Sequence, residues 1–90
     1  MNLTKLIPFN IRINSLYWVR KEKEIDSDLT ILFGKIDDDF YSEARVLLEE
    51  LRDKWTPISH EAPEWFVMEY IPQFSKAESM LNFLSAPLEY

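Results

Sequence analysis

Cysteine is absent from this 90-residue chain, and glycine occurs once, at position 34. Without thiols there is no disulfide staple, no thiolate nucleophile and no Cys-ligated zinc or iron–sulfur site. A single glycine excludes collagen-like and flexible low-complexity chains, and it leaves no glycine-rich loop to cradle a phosphate. Histidine is nearly missing too: His60 is the only one. No run of about 18 uninterrupted apolar residues exists to span a membrane. The opening Met1–Pro8 lacks the sustained apolar stretch and small-residue cleavage site of a secretory signal. The expected compartment is therefore the cytoplasm.

What the chain does contain is apolar mass. Apolar residues make up 47% and aromatics 14%, far too much for a wholly disordered polypeptide. At this length one domain, residues 1–90, accounts for the whole sequence. The net charge is −6, and it is unevenly placed. Residues 1–23 carry five cations against Glu22, a balance of +4, whereas residues 24–90 carry five cations against fifteen acids, a balance of −10. An acidic surface repels nucleic-acid phosphate, so nucleic acid is not an expected partner.

The best-marked element is a helix from Asp38 to Trp55. Phe40, Ala44, Leu47, Leu48, Leu51 and Trp55 fall on one stripe of a 3.6-residue period. Asp37, Asp38 and Asp39 stand where carboxylates cap a helix start, and Pro57 follows as a stop. A second, short helix is expected from Lys76 to Ser85. Ser75 and Glu78 would form its capping box, and Pro87 its end.

Three segments read as strands. Glu64–Ile71 is rich in aromatic and β-branched residues and is closed by Pro72. Leu29–Ile36 is a second strand, with Gly34 as a bulge. Phe9–Asn14 alternates with period two, which suggests a bulged strand over Ile11–Lys21. A helix over Asn14–Glu24 is the competing reading. Lys23–Asp28 would then be the hairpin between the first two strands. The order β-β-α-β-α predicts an α+β fold, a two-layer sandwich with an antiparallel sheet of about three strands and both helices on one face. Its core would draw on Phe33, Leu47, Leu48, Leu51, Phe66, Met68, Met80, Leu81 and Leu84.

The catalytic inventory is sparse, and a non-enzyme is expected, with no catalytic residues, no cofactor and no metal. His60 lies between Ser59 and Glu61, but sequence neighbours do not make a triad around an imidazole. Consecutive aspartates at 37–39 point in different directions and lack the spacing of a calcium loop. The one basic and aromatic grouping, Tyr17 and Trp18 beside Arg20, Lys21 and Lys23, reads as an edge strand blunted by lysines.

The aromatic load is the informative excess. Trp and Tyr combine large apolar faces with polar handles and are enriched in binding hot spots. The leading expectation is a non-catalytic protein-binding module, an acidic adaptor, assembly factor or regulator. Its contact residues would be Tyr17, Trp18, Trp65, Glu69 and Tyr70. Its partner would be a protein with a basic patch or a second copy of the chain in a homodimer. Two other readings compete with it. A concave sheet lined by Tyr17, Trp65 and Tyr70 would hold a small flat ligand, as in a ligand-binding domain or minor enzyme. Rows of carboxylates would imitate nucleic acid in an inhibitor, but Arg45, Arg52 and Lys54 interrupt the row.

Overall fold

The computed structural model describes the backbone of residues 9–84 and the side chains of residues 16–84. It is a bundle of three helices running up, down and up: α1 (Phe9–Asp37), α2 (Tyr41–Ser59) and α3 (Glu64–Leu84). No strand occurs among the described residues. The expected α+β sandwich is therefore overturned. All three strands and the hairpin at Lys23–Asp28 lie within α1 or α3.

The reason lies in spacing. Ile25, Leu29, Leu32 and Ile36 are buried at steps of 4, 3 and 4 residues, the stripe of a helix packed against neighbours. Trp18 continues the stripe one heptad earlier. In α3 the buried residues are Phe66, Tyr70, Phe74, Ala77 and Leu81, at steps of 4, 4, 3 and 4. This stripe passes through the supposed strand end at Pro72 without interruption. Pro72 stands inside α3 and faces solvent, where its missing N–H leaves no buried donor or acceptor exposed to apolar surroundings. Ser75 is likewise an interior residue of α3, so it caps nothing. The stop expected at Pro87 lies outside the described residues.

Helix α2 matches its expected stripe, with Ala44, Leu48, Leu51 and Trp55 buried, but it starts later and continues to Ser59 through Pro57. The aspartate run does different work from the expected capping. Asp39 takes a left-handed backbone, with φ of 66°. The Phe40 N–H bonds the Lys35 carbonyl at 2.9 Å, and the Asp39 N–H bonds Ile36 at 3.1 Å. These two bonds are the Schellman arrangement that ends α1. Phe40 is the N-cap of α2 and makes no side-chain capping bond. The Asp39 carboxylate instead accepts from the Tyr41 hydroxyl at 2.8 Å.

The core holds Trp55 and Phe66 fully enclosed, with Leu48, Leu51 and Leu81 as expected. Phe33, Leu47 and Met80 pack at its edge. Met68 and Leu84, expected inside, are exposed. Phe66 joins three buried rings, Trp18 at 5.1 Å, Tyr70 at 5.2 Å and Trp55 at 6.0 Å between centroids. Polar clamps flank this core. Asp28 accepts from Lys54 Nζ at 2.8 Å and from the Trp55 indole N–H at 3.0 Å. Across the other seam Arg52 pairs with Glu78 at 2.8 Å, and Arg45 donates to the Leu81 carbonyl at 3.0 Å. The cations of α2 thus tie helices together.

Candidate protein-docking surface

Helices α1 and α3 both begin at the same end of the bundle. The Trp18–Phe66 contact and the approach of Glu22 to the Tyr70 hydroxyl set each α1 residue level with the α3 residue 48 positions later. Leu16 is therefore level with Glu64, where α3 starts. The seven residues 9–15 run on beyond it for about 10 Å at 1.5 Å per residue.

Just above that end, four large apolar side chains stay in water. Leu16 and Val19 lie three apart on α1, at 62% and 44% exposure; Trp65 and Met68 lie three apart on α3, at 47% and 67%. Residues three apart share a helix face. By helical spacing and level, the two pairs form an apolar zone on the outer sides of α1 and α3 at the foot of the bundle. Charges of opposite sign adjoin it. Arg20 and Lys23 follow on the α1 face, and Glu69 follows on the α3 face. All three are exposed, and none has an ion-pair partner among the described residues.

The five residues expected to form a contact face are divided by the fold. Tyr17, Trp65 and Glu69 are exposed; Trp18 and Tyr70 are core side chains. Tyr17 faces α2 rather than α3, since its ring lies under Lys21, which also approaches the Trp55 ring. Burial, together with the Glu22 carboxylate accepting from it, pushes the Tyr70 hydroxyl up to about 12. With no strand among the described residues, and with Tyr70 in the core, Tyr17, Trp65 and Tyr70 do not line a concave sheet. Leu16, Val19 and Met68 were not among the expected contact residues. Their signal was the helical i, i+3 spacing, which is invisible while the segments are read as strands.

Other places in the molecule offer less. His60 is exposed in the turn after α2, and the Ser59 hydroxyl donates to the Thr56 carbonyl at 2.7 Å, away from the imidazole. Among the described residues no three His, Cys, Asp or Glu side chains gather to hold a metal ion. A groove of about 190 Å³ between α2 and α3 is lined by Arg52, Trp55, Thr56, Ser59, Ile71, Phe74 and Ser75. That is below the roughly 300–1,000 Å³ of ordinary ligand pockets. A depression of about 390 Å³ over Lys35, Ser42, Glu43, Val46, Leu47 and Glu50 is open to solvent along its length. No helix among the described residues is long and apolar enough to cross a membrane.

Comparison with protein-family models, curated proteins and solved structures finds no match.

Proposed function

We propose that the chain is a non-catalytic docking module that binds protein through the outer face of α1 and α3, within the cytoplasm. The observation that carries this reading is the apolar zone of Leu16, Val19, Trp65 and Met68 beside exposed charges of both signs. A half-exposed Trp with apolar neighbours and a polar rim has the composition of an interface centre. Stability offers no reason to keep these side chains apolar, because their exposed parts gain nothing from folding. The basic first part of α1 and the acidic remainder would also steer a partner into one orientation.

A photo-crosslinking residue tests this at position 65, with position 53 on the outer face of α2 as control. In cells, position 65 should give discrete protein adducts that vanish when Met68→Asp is added, and position 53 should give none. Equal labelling from both positions, or none from 65, would refute the reading.

A further inference from the structure

We propose that the occupant of this face is the same face of a second copy, related by a twofold axis parallel to the helices; this rests on the docking reading above. Two features outside the apolar zone lead there. The first is the chain's single glycine. Gly34 lies 18 residues, or five helical turns, after Leu16, and so on the same outward face of α1. A Cβ built there meets nothing within 4 Å, so the position is open toward solvent. A mid-helix glycine is unfavourable by roughly 0.5–1 kcal/mol relative to alanine, and among the described residues nothing approaches it closely enough to require it. The second is Phe83, the most exposed large apolar side chain described, at 84%. It lies 18 residues after Trp65, again five turns, on the outward face of α3.

The two spacings match because α1 and α3 run parallel with a register offset of 48. Near the foot of the bundle Leu16 is level with Trp65 and Arg20 with Glu69 to within one residue, and the same offset carried along the parallel helices sets Gly34 against Phe83. A twofold axis along the helices lays α1 of one copy over α3 of the other at equal height. Leu16 and Val19 then meet Trp65 and Met68, Arg20 meets Glu69, and the Phe83 ring enters the gap above Gly34. Symmetry makes every contact twice, as an isologous interface requires. A perpendicular axis at the height of Arg20 and Lys23 would instead set α1 on α1 and bring those cations of both copies together. The charge pattern, with Arg20 set against Glu69, favours the parallel axis. Two helices about 10 Å apart over about 30 Å offer roughly 600 Å² per copy. The resulting total of about 1,200 Å² sits at the lower edge of stable interfaces.

Sedimentation equilibrium of the purified chain, from low to several hundred micromolar, should report a monomer–dimer equilibrium. Gly34→Leu fills the gap while keeping a good helix former, so it should weaken dimerisation at least tenfold without lowering the thermal midpoint of the dilute monomer. Arg20→Glu should weaken it about tenfold by turning two exposed attractions into repulsions. An equimolar mixture of Arg20→Glu and Glu69→Arg chains should recover the wild-type mass. A wild-type chain that stays monomeric while position 65 crosslinks to a different protein would overturn the second-copy proposal and leave the docking reading standing. Failure of both experiments would remove both. A dimer indifferent to Gly34→Leu and Arg20→Glu would place the contact elsewhere and also overturn it.

Discussion

Phe66 and Met68 are two residues apart and were both expected in one core, yet the bundle separates them completely. Phe66 is fully enclosed and touches the rings of Trp18, Tyr70 and Trp55. Met68 faces water. Phe66→Ala removes a buried ring and leaves a cavity, for a cost of roughly 3–5 kcal/mol. Losing edge and tilted ring contacts adds about 0.5–1.5 kcal/mol per pair. A 90-residue domain has a total stability on the order of 5–13 kcal/mol, so this variant will be severely destabilised. Phe66→Leu keeps most of the volume and should cost roughly 1–2 kcal/mol, which remains measurable. Met68→Ala should lie within about 0.5 kcal/mol of wild type. Urea unfolding followed by far-ultraviolet circular dichroism, at concentrations where the chain is monomeric, gives all three values. Comparable losses for Phe66→Leu and Met68→Ala would mean that the face assignments of α3 are wrong, and with them the docking surface.

Three further outcomes follow from the polar contacts and the turn. Asp28→Ala strips the acceptor from both Lys54 and the Trp55 indole N–H, so it should cost roughly 1–3 kcal/mol in urea unfolding, whereas Arg52→Met loses only an exposed pair and should cost less than about 1 kcal/mol. The opposite ranking would contradict the clamp assignment. Asp39→Gly relieves a left-handed non-glycine residue and should raise stability by about 0.5–1 kcal/mol, unless the Tyr41 hydroxyl bond outweighs the backbone, in which case the thermal midpoint falls. Tyr70 titrates near 12 when folded against an ordinary 10.0, so the folded state holds its proton longer. Its contribution is complete below pH 10 and is lost as the pH rises toward 12; a Tyr70→Phe variant should show a shallower alkaline loss of thermal midpoint, and an identical profile would rule the assignment out.

Helix α2 was legible because its apolar residues sit on one stripe and its other side is charged. Of helix α3 only the last part, from Lys76 on, was legible, because the part before it is apolar on two sides. Phe66, Tyr70 and Phe74 face the core, while Trp65, Met68 and Phe83 face out. Such a segment has little contrast between faces, and a short stretch of it reads as a covered strand. Pro72 reinforced the error, since a proline on the outer side of a helix is tolerated more readily than its propensity implies. In α1 the polar Glu22 interrupts the stripe between Trp18 and Ile25. Its partner, the Tyr70 hydroxyl, is far along the chain and cannot be seen locally. One sign against the hairpin was present throughout. Lys23–Asp28 has the turn formers Asp26, Ser27 and Asp28 but lacks the Gly that a two-residue hairpin turn calls for. Of the contact face, the excess of aromatics was visible. Which of them remain in water depends on helical register, and that was lost with the fold class.

The connectors of this bundle are three and four residues long, at 38–40 and 60–63. Each helix therefore meets its successor after a minimal search, and folding of such topologies takes microseconds to milliseconds. Synthesis is far slower, at about 5–20 residues per second. Once Ser59 has left the ribosome, the remaining stretch to Leu84 takes on the order of 1–5 s to appear. Throughout that interval the α1–α2 hairpin holds Leu51 and Trp55 without the third helix that encloses them. Until the third helix arrives, the nascent hairpin presents a greasy seam that the folded bundle closes over.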